Sequence, residues 1–259
     1  MTFNVRYDNP KDGPNAWPAR KGLAAKTLLF HKADIVGMQE CLRGQIADLE
    51  TLLPGYAWVG VGRDDGKEAG EFCPIFFRKD RLRLLDQSTY WLSETPEEAG
   101  SPGWDGACRR IVTWARFAGT PDEGTFFVFN THFDHVGPEA RRKSAELLLR
   151  RLAAIAGEAP AVVTGDFNAA AEDEPVRILT SGLNGAPALR DAAALSLTGS
   201  YGGGRTFNGF RDEPGTGRII DFIFVQGTGP VLRHGIIAEK WDGRFVSDHY
   251  PVLAEIVLR

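Results

Sequence analysis

Ten short runs of β-forming residues, spread along the whole chain with few helical patterns between them, constrain this sequence most. They cover residues 2–6, 34–39, 57–61, 73–78, 82–91, 110–117, 125–131, 161–165, 219–225 and 251–258. As a set they are rich in Val, Ile, Phe and Trp and bounded by Gly, Pro, Asp or Asn, the composition of strands and their turns. Helical spacing is confined to 18–31, 41–53, 138–156 and 174–181, the first opening on Pro18, a residue suited to a first helical turn. Strands and helices neither alternate strictly nor segregate. This predicts an α/β fold: a four-layer sandwich of two mixed β-sheets packed face to face and flanked by helices. Loops 8–17, 93–106 and 198–217 are long and rich in Gly, Pro and Asp, as functional loops are. No repeat or linker divides the chain, so residues 1–259 read as one domain.

Composition narrows the function. The formal charge is −4, which argues against a protein that coats nucleic acid by electrostatics alone. It leaves open an enzyme that reaches phosphates through a metal. No apolar run approaches the roughly 18 residues of a membrane span. Cys41, Cys73 and Cys108 lack metal-type spacing and read as reduced thiols. The opening MTFNVRYDNP lacks the basic-then-apolar pattern of a signal peptide, which favours a cytoplasmic setting. Because Met1 nearly coincides with the first strand, a preceding segment, an export signal included, is compatible with this reading.

The informative residues are polar ones at strand ends. VGMQE closes on Glu40; FFVFNTHFDH runs into Asn130, His132 and Asp134; AVVTGDFN closes on Asp166 and Asn168. IIDFIFV holds Asp221 inside an apolar strand, and FVSDHYPV sets Asp248 and His249 before the last one. A buried carboxylate needs a metal, a histidine or backbone donors as partner. Alternation puts Asp166 and Asn168 on one side with Phe167 on the other. Together they can bind a hard cation or hold a water, or simply form an Asx turn. Ser247, Asp248 and His249 are consecutive, which excludes a Ser-His-Asp triad made from them. His249 can donate to a phosphate if another acid, for which Asp221 is the natural candidate, orients its ring; a satisfied core histidine is the alternative. Glu40 with Asn4 suits the sparse coordination of Mg²⁺, although a glutamate at a helix start is also favoured by the macrodipole.

In order and combination, TFNVRYDN, GMQE, GEFCPIFFRKDRL, YWLSETPEEAGSPGWDGACRRIVTW, NTHFDH, GDFN, IDFIFV and SDHYPV resemble the endonuclease/exonuclease/phosphatase superfamily, whose fold is DNase I-like. WLSETPE and GWD resemble a bacterial subgroup of it. The resemblance implies Glu40 as principal Mg²⁺ ligand with Asn4 nearby, Mn²⁺ being an alternative ion. Asp166 would bind or activate the attacking water, and Asn168 would position it. His249, oriented by Asp221, would stabilise the phosphoryl oxygens, with Asp248 supporting the metal region. His132 would be a second phosphate-facing histidine paired with Glu71, and Arg110 rather than Arg109 would be the family's arginine. Asn208 stands where this subgroup leads one to expect a histidine.

The expected activity is metal-assisted in-line hydrolysis of a phosphate ester, with both histidines cationic beside their acids. Phosphodiester cleavage stands slightly ahead of a small-molecule or sugar phosphomonoesterase; a catalytically silent binding module is the reading from another class. Nucleic acid remains a candidate substrate, since the superfamily spans nucleases, deadenylases, sphingomyelinases and inositol phosphatases. The basic run Arg141, Arg142, Lys143, Arg150 and Arg151 reads first as a solvated helix face and second as a phosphate contact. Trp91, Trp104, Tyr201 and Trp241 read as core aromatics before stacking surfaces. A monomer is expected.

Overall fold

A computed structural model describes residues 1–119, 124–212 and 217–258. Positions 213–216 of the third long loop, and residues 120–123 and 259, lie outside the described residues. In chain order the strands are β1 (Thr2–Asn4), β2 (Ile35–Gln39), β3 (Tyr56–Val59), β4 (Ile75–Arg78), β5 (Leu82–Trp91), β6 (Ile111–Gly119), β7 (Thr125–His132), β8 (Ala161–Asp166), β9 (Arg190–Asp191), β10 (Ser200–Tyr201), β11 (Asp221–Gln226), β12 (Val231–Ile236), β13 (Lys240–Trp241), β14 (Arg244–Phe245) and β15 (Val252–Ile256). The helices are α1 (Trp17–His31), α2 (Arg43–Leu52), α3 (Pro138–Ala156), α4 (Glu174–Ser181) and the single turn α5 (Ala192–Leu195), with a 3₁₀ segment at Pro10–Asn15.

Two mixed sheets result. The first runs β10-β12-β15-β1-β2-β4-β3 and the second β5-β6-β7-β8-β11-β9. Among the strands described, β1 with β2, β10 with β12 and β7 with β8 pair in parallel. Each outer face is covered by helices. Leu28 of α1 and Ile46 and Leu49 of α2 pack on Phe3, Val36, Met38 and Phe76 of the first sheet. Leu148, Leu149 and Leu152 of α3 and Leu179 of α4 pack on Phe129, Val163 and Phe224 of the second. Between the sheets lie Ile75, Phe77, Phe117 and Val128 in one cluster and Ile223, Ile236 and Val252 in another. The expected four-layer sandwich is therefore the observed architecture.

A buried polar seam interrupts this apolar interface. Asn130 donates to the carbonyls of Met38 (2.7 Å) and Pro74 (3.0 Å) and accepts from Gln39 Nε2 (2.7 Å) and Thr164 Oγ1 (3.0 Å). It thus ties the second sheet to the first, and Gly37 is required beside it because an added Cβ would collide with Asn130 and Thr164. Buried amides of this kind need every partner satisfied.

Sequence reading missed β12. Arg233, His234 and Gly235 break its apolar pattern, and the strand is recruited by pairing with β15. His234 is buried within it, with Nδ1 2.8 Å from Ser200 Oγ.

Candidate active site

Strand register builds the centre. In the second sheet His132 faces Asp166 across the parallel β7–β8 pair, and Asp166 faces Asp221 across the antiparallel β8–β11 pair. Register partners present their side chains on one face, so the three form a row at one end of the sheet. Two residues back in β7 and β8, the same face carries Asn130 and Thr164 of the seam. The first sheet brings Asn4 at the end of β1 and Glu40 just beyond β2, while Asp248 and His249 arrive ahead of β15.

The contacts are specific. Asp221 Oδ2 lies 3.0 Å from His249 Nδ1, and His249 Nε2 lies 3.7 Å from Asp166 Oδ2. Asp166 Oδ1 accepts from the backbone N–H of Asn168 (3.0 Å), and its Oδ2 accepts from Asn4 Nδ2 (3.0 Å). Asn4 Nδ2 also donates to Glu40 Oε1 (3.0 Å), while its Oδ1 accepts from Arg6 N (3.0 Å). Asn168 Nδ2 lies 3.0 Å from both His132 Nε2 and the Phe133 carbonyl, which leaves Oδ1 as the atom Asn168 can offer a cation or a water. Arg6, locked to Asp12 by two contacts, extends toward Glu40 (3.9 Å) and Asp248 (3.7 Å). Arg6, Glu40, Asn168 and Phe210 all hold positive φ, between 46° and 61°. Such backbone strain, about 1 kcal/mol or more each, is characteristic of functional sites.

Burial pushes the Asp166 carboxyl up to about 7, helped by the like charge of Asp221. Burial alone would lower His249, but Asp221 and Asp166 outweigh it and hold the ring protonated well above its ordinary range. His132 goes the other way: burial, then the charges of Arg110 and Arg63, hold it well below its ordinary range. Asp248 is raised by burial. The expectation of two cationic histidines is therefore corrected to one: His249 has Asp221 at 3.0 Å, whereas His132 Nε2 stands 3.5 Å from Asp166 Oδ2 and is outweighed by its burial and by Arg110 and Arg63.

Glu71 is the second correction. It does not partner His132; Arg63 grips it through NH1 and NH2, both at 2.8 Å, and His132 Nδ1 is buried without a hydrogen-bond partner. Of the doubled arginines, Arg110 is 6% exposed, whereas Arg109 turns outward to the Gly100 carbonyl. Arg110 lies 3.5 Å from Asp134 and 3.0 Å from His135 Nδ1. Asp134 in turn is a structural anchor: burial alone would raise it, but backbone N–H donors of Gly137, Val136, Ala107 and Cys108 bring it to about 2.

These side chains line a half-open cavity of about 910 Å³. Glu40, Glu71, Arg110, His132, Asp166, Asn168, Asp248 and His249 all reach it; Asn4 and Asp221 support it from behind. Residues 1–249 match the profile of the Endonuclease/Exonuclease/phosphatase family. The chain belongs to that family.

Among the family's solved structures, an endonuclease/exonuclease/phosphatase from Bacteroides vulgatus is 45% identical, with a TM-score of 0.95 over 100% of this chain and 97% of that one. A mannosyl-6-phosphatase of Bacteroides thetaiotaomicron is 34% identical, with a TM-score of 0.88 over 99% and 98% of the two chains. Curated relatives are more distant. An uncharacterised protein of Acanthamoeba polyphaga mimivirus is 28% identical over 59% of this chain, and Nocturnin of Drosophila melanogaster 25% identical over 70%. This chain spans 59% and 28% of the lengths of those two relatives.

The donor chemistry fits the divalent metal that family members generally use. Glu40, Asp166 and Asp248 form an all-oxygen set of the kind hard cations prefer. Asp166, Asp221 and His249 also place one ligand atom each within 4.8 Å of one another, although His249 Nδ1 is already committed to Asp221.

Sequence reasoning missed Arg63, Arg6 and Phe207. Arg63 sits in a Gly- and Asp-rich turn that reads as an ordinary loop, and only its grip on Glu71 reveals it. Phe207, 46% exposed, sets its ring edge-on to His249 with centroids 5.1 Å apart. Asn208, in place of the expected histidine, bonds the Ser247 carbonyl and Phe210 N and so latches this loop beside Asp248. Neither the α3 basic run nor Trp91, Trp104, Tyr201 and Trp241 lines the cavity. Arg142, Lys143 and Arg150 engage Glu146, and Arg151 engages Glu97.

Proposed function

We propose that this protein is a divalent-metal-dependent phosphomonoesterase acting on a small polar substrate such as a sugar phosphate, with residues 1–259 as one catalytic domain. The observation that carries this reading is the charge layout of the cavity, where Arg63 and Arg110 join the carboxylates and His249 around a space of small-molecule size. A phosphomonoester carries up to two negative charges at neutral pH and needs that cationic lining. Full-length similarity to a mannosyl-6-phosphatase supports the same substrate class. The engagement of Arg142, Arg150 and Arg151 in ion pairs, and of Arg141 with the Asp134 carbonyl, weakens the polynucleotide reading, and with it the phosphodiester preference drawn from sequence.

In this mechanism Asp166 orients a water with Asn168 and takes its proton as the water oxygen attacks phosphorus in line and the opposite P–O ester bond breaks, the leaving oxygen departing as the alcohol with a proton from solvent. A carboxyl with pKa near 7 is well matched to that task. His249 donates from Nε2 to a phosphoryl oxygen, and Asp221 fixes its ring through Nδ1. Arg110 neutralises the remaining oxygens, and neutral His132 keeps Asn168 in place. Mg²⁺, or Mn²⁺, held by Glu40 with Asp248 and Asn4, would withdraw charge from the phosphoryl and leaving oxygens.

Hydrolysis of p-nitrophenyl phosphate, mannose 6-phosphate and bis-p-nitrophenyl phosphate, with EDTA and with Mg²⁺ or Mn²⁺ restored, tests the proposal. Expected are monoester kcat/KM values at least about tenfold above the diester, lost with chelator and recovered with metal. Faster diester cleavage would return the phosphodiesterase reading. Inertness toward all three esters would favour the binding module.

A further inference from the structure

Arg63 lies in the loop between β3 and β4, and the fold holds it rigidly. Its backbone N–H donates to the Glu71 carbonyl (3.1 Å), and its carbonyl accepts from Trp91 Nε1 (2.7 Å). Gly62 N donates to Lys67 O (2.9 Å), and Asp65 Oδ1 accepts from the N–H groups of Lys67 (2.8 Å) and Ala69 (3.0 Å). Gly62 and Gly70 are required there, since a Cβ would strike the Ala69 backbone in the first case and Asp64 in the second. The guanidinium is then fixed in its plane by the two-point pair with Glu71.

Beside it are buried polar atoms without partners. Among the described residues Arg110 NH1 and His132 Nδ1 have no hydrogen-bond partner, Arg110 Nε has only its 3.5 Å approach to Asp134 Oδ2, and Glu71, the acid that the sequence paired with His132, is occupied by Arg63. Buried nitrogens left in this state indicate a ligand that completes them. Arg63, Arg110 and His132 line the same cavity as Asp166 and His249, so that ligand belongs to the substrate.

We infer that Arg63 is a specificity-determining phosphate ligand: with Arg110 it binds the terminal oxygens of a monoester dianion and thereby selects monoesters over diesters. The inference rests on the hydrolase reading above and deepens it. A monoester presents three terminal oxygens and up to two charges; esterifying one removes an acceptor and a charge. Glu71 takes one hydrogen from each terminal nitrogen of Arg63, so Arg63 meets the phosphate with its remaining N–H groups, and Arg110 NH1 is the buried donor that a diester would leave unpaired. Sites built on such donors reject the analogue that cannot fill them.

The test uses the full chain with Mg²⁺ and two readouts. In steady-state kinetics, Arg63→Gln is expected to lower kcat/KM for p-nitrophenyl phosphate about 100-fold, and for bis-p-nitrophenyl phosphate less than tenfold. In calorimetric titration it is expected to weaken inorganic phosphate at least about tenfold while leaving dimethyl phosphate unchanged. Arg63→Lys keeps the charge without the fork and should fall between; it carries the test if the thermal melt shows Arg63→Gln unfolded. Equal losses on both esters, or unaltered phosphate binding, overturn the role of Arg63 while leaving the hydrolase reading intact. A wild-type protein that binds phosphate through Arg63 yet cleaves no monoester refutes the hydrolase reading instead.

Discussion

Replacing Asn130 with alanine separates structure from chemistry at a residue that the sequence groups with the site. Asn130 makes four hydrogen bonds, two donated to Met38 and Pro74 carbonyls and two accepted from Gln39 and Thr164. At a net value of about 1 kcal/mol each, their loss comes to about 4 kcal/mol. Gln39 Nε2 retains Thr2 Oγ1 and Thr164 Oγ1 retains the Phe129 carbonyl, so little further penalty arises from stranded donors. Against a total stability of about 5–15 kcal/mol, the variant should remain folded at 25 °C but lose roughly 10 °C in Tm. Urea denaturation followed by circular dichroism measures the difference, with the midpoint falling and the slope unchanged. The folded fraction should retain wild-type kcat, because Asn130 is one turn of the β-pleat away from His132. A loss below about 1 kcal/mol would refute the seam as the tie between the sheets. Intact stability with lost activity would restore a functional role to Asn130.

The remaining expectations concern charge. His249→Ala and Asp166→Asn should each lower kcat by about 10³-fold or more, with the thermal midpoint nearly unchanged for Asp166→Asn and lowered for His249→Ala, which leaves Asp221 buried without its partner. Near-normal turnover in either would sink the proposed roles. Asp221→Asn should lower kcat less, by about 10²-fold, since it acts through the His249 ring and through its charge on Asp166 without touching substrate. Burial depresses His234 to about 4, so its neutral form is favoured in the folded state. Between pH 6.5, the ordinary histidine value, and pH 4 the unfolded chain binds a proton that the folded chain excludes. This contribution is complete above that window and is lost as pH falls through it. His234→Gln should flatten the stability-versus-pH curve there, and an unchanged slope would contradict the assignment.

Much of this fold is legible in local pattern. Pro138–Ala156 and Glu174–Ser181 appear in the sequence with the bounds they have in three dimensions, because apolar spacing and a leading proline are local signals. The strands β6, β7, β8 and β11 are equally plain, being Val-, Ile- and Phe-rich runs, and β5 is legible from its Leu, Thr, Tyr and Trp. Strand β12 is not, since Arg233 and Gly235 are tolerated only because β15 supplies its ladder. The same limit governs the candidate site. Asp221 beside His249 could be anticipated, as a carboxylate inside an apolar strand demands a partner. Glu71 could not be placed, because its choice of Arg63 over His132 depends on a turn whose geometry is set by Trp91 and Asp65.

By itself, then, the sequence determined the family, the sandwich and the strand ends on which acids and histidines gather. These follow from hydrophobic periodicity and from the cost of burying an unpaired charge, both readable one segment at a time. Only the tertiary structure decided that Asn130 fastens the sheets, that His132 is neutral while His249 is charged, and that Arg63 stands in the cavity. Each of those outcomes depends on which distant groups converge within hydrogen-bond or Coulomb range, and register and packing set that distance.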